Sequence, residues 1–256
     1  MASSPRDLAT TSNKVVENEK LLQNMAALVL QQKYENLINH DSSYLNQRVR
    51  SDEDNIKRHE IKLYSQNGED GILLHIFSRI GVKNHKFVEF GIGDAKECNT
   101  ANLTLNFGWK SLLMDGLETN VASAKLFYKR MLGKDANNVR ITHCFVTAEN
   151  INKVLEDNGM KGEIDLLSID IDGNDYWVWE AINAINPRLV VVEYNASLGF
   201  EKTLAVKYDP LFSRFRKHKS GLYHGASLAA FAKLAHSKSY KLIGCESTGI
   251  NGTLSA

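Results

Sequence analysis

The chain is poor in cysteine. Its three cysteines, Cys98, Cys144 and Cys245, are an odd number without Cys-x-x-Cys spacing. That pattern argues against a disulfide framework and against a structural zinc site, so a reducing, cytoplasmic setting is expected. An excess of charge is missing too: 31 basic side chains stand against 30 acidic ones. A protein that neutralises many phosphates carries a basic footprint, so nucleic acid is not an expected partner. No stretch approaches ~18 uninterrupted apolar residues. The opening Met1-Ala-Ser-Ser-Pro-Arg-Asp has no basic segment running into an apolar core, so neither a secretory leader nor a membrane partner is expected. What remains is a globular composition, 43% hydrophobic and 24% charged over 256 residues, enough for one substantial core.

Apolar residues recur at spacings of three and four from Asn13 to about His40 (Val15, Leu21, Leu22, Met25, Leu28, Val29, Tyr34, Leu37, Ile38), which predicts one long amphipathic helix. Such a helix either packs on its own domain or pairs with a second copy, giving a homodimer or higher homo-oligomer. The segment from His40 to Glu60 is rich in Asp, Ser, Asn and Arg and reads as a polar connector. The expected organisation is a helical extension with connector over 1–59 and a catalytic domain over 60–256.

Beyond the connector, short apolar runs near residues 87–90, 111–115, 139–146, 164–170, 189–194 and 240–246 alternate with helix-like segments. Continuous apolar strands alternating with helices predict an α/β fold, a Rossmann-like, doubly wound and mostly parallel sheet covered on both faces. After the sixth run, Asn251-Gly-Thr-Leu-Ser-Ala256 looks too short and polar for a convincing seventh strand.

In such sheets ligands bind at the carboxyl ends of the strands, so the polar residues there are the candidates. The first strand ends in Glu89-Phe-Gly91-Ile-Gly93-Asp94-Ala95, whose alternate glycines let a ligand approach the backbone. A dinucleotide fingerprint would require a third glycine where Lys96 stands. The second strand ends in Asp115, a carboxylate able to accept hydrogen bonds from ribose hydroxyls. Val146 and Thr147 follow the third strand, where this fold class contacts adenine. Asp170 and Asp172 share a face at the end of the fourth strand, as do Glu193 and Asn195 at the end of the fifth. Asp170, Glu193 and Asn195 form an oxygen set suited to Mg²⁺, while Asp172-Gly-Asn-Asp could instead turn the chain and cap the next helix.

Four motifs in order, Tyr64-Ser-Gln-Asn-Gly-Glu-Asp70, Phe87-Val-Glu-Phe-Gly-Ile-Gly-Asp94, Asp165-Leu-Leu-Ser-Ile-Asp-Ile-Asp-Gly173 and Val191-Val-Glu-Tyr-Asn195, resemble the FkbM-like methyltransferases often found with polysaccharide-modification enzymes. The likeness covers roughly residues 60 to 250. It implies S-adenosylmethionine as cofactor, bound by Glu89, Gly91 and Gly93 with Asp115 on the ribose and Asp170 close by. Glu69 and Asp70 would then lie near the cofactor's amino-acid end. It also implies an oxygen acceptor, such as a sugar, a nucleotide-sugar or another phosphate-bearing small molecule.

The Asp170, Glu193 and Asn195 arrangement is similar as well to the metal site of catechol O-methyltransferases, although Gly173 stands where those enzymes carry a lysine base. His224 is the substitute base from the sequence, with Asp172 as second candidate. Lys207, Tyr208, Arg214, Arg216 and Lys217 make the acceptor segment basic, in keeping with an anionic acceptor. A nicotinamide oxidoreductase and a non-catalytic scaffold of the same fold are the rival readings.

Overall fold

The computed structural model describes residues 55–256. The expected helix over 13–40 and its role in self-association lie outside the described residues. The elements run α1 (Glu69–Ile80), β1 (Lys86–Phe90), α2 (Ala101–Phe107), β2 (Lys110–Asp115), α3 (Glu118–Leu132), β3 (Val139–His143), α4 (Ile151–Asp157), β4 (Gly162–Ile169), α5 (Asp175–Ala181), β5 (Ile185–Glu193), α6 (Arg214–Lys217), α7 (Leu228–Ser237), β6 (Lys241–Cys245) and β7 (Asn251–Ser255). They build one seven-stranded sheet in the order β3-β2-β1-β4-β5-β7-β6. β1 to β5 are parallel, and β7 is antiparallel to both β5 and β6.

The side-chain period of two divides each apolar strand between two cores. Val88, Phe90, Leu112, Met114, Leu167, Ile169, Val190 and Val192 face one side, where Ile151 and Leu155 of α4, Trp179 of α5 and Phe231 of α7 cover them. Phe87, Leu113, Leu166, Leu189 and Val191 face the other, beneath Ile72, Leu73, Ile76 and Phe77 of α1, Leu103 of α2 and Tyr128 of α3. Strands buried on both faces read as near-continuous apolar runs, which is why the sequence marks them so clearly. Among the described residues, no helix is long and apolar enough to cross a membrane.

Asn251–Ser255, too short and polar in the sequence for a convincing strand, is the seventh strand of the sheet. The segment lies inside the sheet, pairing Leu189 to Glu193 on one side and Lys241 to Cys245 on the other. Its backbone is satisfied along both edges, and small residues fit because Leu228 Cδ1 would lie only 3.1 Å from a Cβ on Gly252. The turn leading in is organised by the Glu246 carboxylate, which accepts from the backbone N–H groups of Thr248, Gly249, Ile250 and Asn251. The sequence reading also passed over α2, whose Asn102, Thr104 and Asn106 break its apolar pattern.

Candidate active site

Strand order reverses between β1 and β4, and the chain leaves these neighbours in opposite directions. That divergence opens a crevice at the carboxyl ends of the parallel strands. A cavity of about 600 Å³ occupies it, lined by residues that include Gly91, Gly93, Asp115, Phe145, Val146, Asp170, Asp172, Glu193 and Arg214.

The glycine turn after β1 needs its glycines for two different reasons. Gly91 has φ +75°, and a Cβ there would lie 1.5 Å from the carbonyl oxygen of Asp170. Gly93, at φ +55°, has nothing within 4 Å of a would-be Cβ, so its bare backbone faces open space. Its N–H donates to Asp115 Oδ2 at 2.9 Å. Asp115 Oδ1 accepts from the Leu117 N–H at 2.8 Å and from Asn120 Nδ2 at 3.0 Å. A carboxylate offers about four acceptor positions, so three are spent on shaping the turn and one on Oδ2 is left.

Glu89, Glu69 and Asp70 do not line the cavity. Glu89 is buried under the turn, where Oε1 accepts from the Asn99 N–H at 3.0 Å and from Ser168 Oγ at 3.2 Å, and Oε2 accepts from Thr100 Oγ1. Burial pushes its carboxyl up to about 7, against the lowering effect of these donors. Asp70 Oδ2 gathers the N–H groups of Leu63, Tyr64 and Ser65 at 2.7–2.8 Å. Glu69 accepts from the Asn67 N–H at 2.9 Å and from Asn251 Nδ2 at 2.7 Å. These two acids fold the loop before α1, and it is Gln66 of that loop that reaches the cavity wall.

Past β3, Val146 lines the cavity beside Phe145, which is half exposed. Thr147 lies beyond the wall, where it exchanges hydrogen bonds with Asn150 at the start of α4. Phe145 and Phe215, both at the mouth, were not singled out from the sequence. Phe145 reads from the sequence as the end of an apolar run and Phe215 as one apolar residue in a basic segment; exposure is what sets them apart.

At the ends of β4 and β5 four carboxylates converge. Asp170 and Glu193 line the cavity floor. Both are pushed above the ordinary carboxylate range, by burial first and then by the neighbouring acids. Asp175, fully buried, accepts from the N–H groups of Ile171 and Gly173 at 2.8 Å each and so holds the turn between β4 and α5. Asp172 stands in the left-handed region at φ +57° and pairs with Arg214. The turn-forming reading of Asp172-Gly-Asn-Asp therefore falls on Asp175, while Asp172 points to the cavity.

The structure does not assemble Asp170, Glu193 and Asn195 around one point. β5 ends at Glu193, so strand alternation no longer governs Asn195. Its side chain donates to the carbonyls of Leu222 at 2.8 Å and His224 at 3.0 Å, and accepts from the Ser197 N–H at 3.0 Å. His224 sits behind Glu193 rather than on the wall, with Nδ1 3.9 Å from Glu193 Oε2. Burial, then the Arg214 charge, lowers its pKa, against the raising effect of Asp172. The atoms that do come together are one oxygen each of Asp172 and Glu193 and a ring nitrogen of His224, all within 4.8 Å of one another.

Of the basic segment only Arg214 lines the cavity. Lys217 pairs with Asp209 at 2.6 Å, and Tyr208 donates to Glu149. Phe212 packs so tightly on Gly173 that a Cβ there would lie 2.2 Å from its ring, which seats this segment over the floor.

The antiparallel β7 inserted beside β5, with a crevice at the β1/β4 switch, defines the class I methyltransferase fold. The family profile of the methyltransferase FkbM domain matches residues 77–220, and the chain belongs to that family of methyltransferases. No curated protein matches the sequence significantly. Among solved structures the chain is similar to the CcbJ methyltransferase from Streptomyces caelestis, at 12% identity and TM-score 0.44, covering 71% of this chain and 87% of that one. It is also similar to an O-methyltransferase family protein from Burkholderia thailandensis, at 9% identity and TM-score 0.44, covering 73% and 57%. A third likeness is PKMT2 from Rickettsia typhi in complex with AdoHcy, at 15% identity and TM-score 0.39, covering 63% and 40%.

Proposed function

We propose that the protein transfers the methyl group of S-adenosylmethionine to an oxygen of a small anionic acceptor such as a sugar or nucleotide-sugar. The observation that carries the reading is one cavity with two unlike ends. One end offers the open backbone of Gly93, the remaining acceptor position of Asp115 and the Phe145–Val146 wall; the other offers buried carboxylates and Arg214. The first suits an adenosyl group, with the ribose on Asp115, adenine against Phe145 and Val146, and the amino-acid portion toward Gln66. The second suits a hydroxyl whose proton must leave and whose molecule carries negative charge. Glu69, Asp70 and Glu89 serve this site indirectly, by shaping the loops that line it.

In the reaction, the acceptor O–H gives its proton to the Asp170–Glu193 pair in its ionised form, which burial and mutual repulsion make a stronger base than a free carboxylate, and the oxygen lone pair attacks the sulfonium methyl carbon. The C–S bond breaks with its electrons passing to sulfur, leaving the neutral thioether S-adenosylhomocysteine. Alignment of the oxygen, methyl carbon and sulfur is the protein's main contribution. Asp170 and Glu193 replace His224 as proton acceptors because they line the cavity and His224 does not. Arg214 is the one residue of the basic segment placed to meet an acceptor's phosphate or carboxylate.

Calorimetric titration with S-adenosylmethionine, S-adenosylhomocysteine and NAD tests the reading. Micromolar binding of the first two without NAD is expected. Binding of NAD alone would return the oxidoreductase reading, and no binding of any would favour a scaffold.

A further inference from the structure

Four carboxylates, Asp170, Asp172, Asp175 and Glu193, face one guanidinium, Arg214, which pairs with Asp172 alone. Behind them His224, only 6% exposed, turns an Nδ1 without any hydrogen-bond partner toward Glu193 Oε2, itself buried and without a partner. A buried imidazole nitrogen left without a donor or acceptor is costly, and so is a buried carboxylate oxygen in the same state. With the ring proton on Nε2, the imidazole and the carboxyl each offer a lone pair into the same gap. The histidine is held there by design of the backbone, since Asn195 Nδ2 donates to its carbonyl at 3.0 Å.

We infer that Asp172, Glu193 and His224 form a binding site for a divalent transition-metal ion, with Mg²⁺ disfavoured. The set contains an imidazole nitrogen, which favours ions such as Co²⁺, Ni²⁺ or Zn²⁺ over Mg²⁺, which prefers oxygen alone. Ligand atoms each about 2.1 Å from one ion lie at most about 4.2 Å apart. The present spread of up to 4.8 Å closes by a modest swing of Asp172, the one exposed member of the set. Glu193 and His224, at 3.9 Å, already lie within range. The swing breaks the Asp172–Arg214 pair and releases the guanidinium into the cavity. Metal binding and the availability of Arg214 to an anion are thereby linked. The site shares the cavity described above, yet its occupation does not depend on S-adenosylmethionine.

The test is calorimetry of the full chain, stripped with chelator and free of S-adenosylmethionine, against Co²⁺, Zn²⁺ and Mg²⁺ in turn. One Co²⁺ or Zn²⁺ per chain is expected, with Mg²⁺ at least about 10-fold weaker. His224→Gln and Glu193→Gln should each weaken Co²⁺ binding by about 100-fold or more. Arg214→Ala should strengthen it by about 5- to 10-fold, because Asp172 no longer has a competing partner. Should His224→Gln fail to fold, Glu193→Gln carries the test, since it exchanges the carboxyl for an amide of nearly the same shape in a crowded acid group. Wild-type affinity in Glu193→Gln, equal or tighter binding of Mg²⁺, or no binding at all would each overturn the assignment.

Discussion

Gly91 and Asp170 meet at the switch point with no room between them: a Cβ on Gly91 would lie 1.5 Å from the Asp170 carbonyl oxygen. This contact fixes the spacing between the glycine turn and the acidic floor, the two ends of the cavity. Reacting groups held by one end are thereby placed against groups held by the other.

Substitutions at the two glycines should therefore separate stability from binding. Gly91→Ala forces β1 and β4 apart as well as straining a left-handed residue, and should cost about 3 kcal/mol or more in urea unfolding. Gly93→Ala meets no atoms and carries only the left-handed strain, about 1–2 kcal/mol. Its methyl group enters the space assigned to S-adenosylhomocysteine, whose affinity should fall by more than its stability does. Normal affinity in Gly93→Ala would move the cofactor away from this turn.

Asp115→Asn turns one carboxylate oxygen into an NH2 group, so either the Gly93 N–H or the Leu117 and Asn120 donors lose their acceptor, and the position left for a ribose hydroxyl is weakened with it. Loss of one charge-assisted hydrogen bond to a ribose hydroxyl is worth about 1.5–3 kcal/mol. Affinity for S-adenosylhomocysteine should drop by about 10- to 100-fold, measured by calorimetry, with circular dichroism confirming the fold. Unchanged affinity would remove the ribose assignment.

Glu89 should make the protein less stable as pH rises. Its carboxyl sits near 7 in the fold against an ordinary 4.5, so between these values the folded state holds a proton that the unfolded state has lost. Stability from this group is then fully present below about 4.5 and falls as pH climbs toward 7. At about 1.4 kcal/mol per unit, the loss approaches about 3 kcal/mol. Glu89→Gln cannot lose a proton. The stability difference between Gln variant and wild type should grow in the variant's favour from pH 4.5 to 8. A difference that stays level across that range would show the carboxyl to titrate alike in both states.

Asn195 acts through the segment it holds. Asn195→Ala leaves the buried carbonyl of His224 and the part-buried one of Leu222 without their donor, which should cost about 1–3 kcal/mol. Amide hydrogen exchange should quicken from Leu222 to Gly225, and Co²⁺ affinity should fall with it. Full protection there would mean the segment is fixed by other contacts.

Much of the fold was legible because it follows from periodicity. Phe87 to Phe90, Ile164 to Ile169 and Leu189 to Val192 are buried on both faces, and only a covered parallel sheet accepts such runs. Gly91, Gly93 and Asp115 were legible for a related reason: strand ends in this architecture converge on one crevice, so order along the chain gives position in space. The strand at Asn251–Ser255 was not, because its stability comes from hydrogen-bonding partners on both sides rather than from its own apolar content.

The sequence by itself determined the doubly wound, mostly parallel class of the sheet and the presence of acids at the ends of β4 and β5. Only the tertiary structure decided how those acids are divided. Asp175 went to the turn, Asp172 to Arg214 and the cavity, Glu89 beneath the glycines, and Asn195 to the backbone of Leu222 and His224. Alternation predicts which face a side chain takes only while the strand lasts, and Asp170, Asp172 and Asn195 all stand past the last strand residue. Beyond that residue their direction is set by turns and by segments distant in sequence, and a linear pattern carries no information about those.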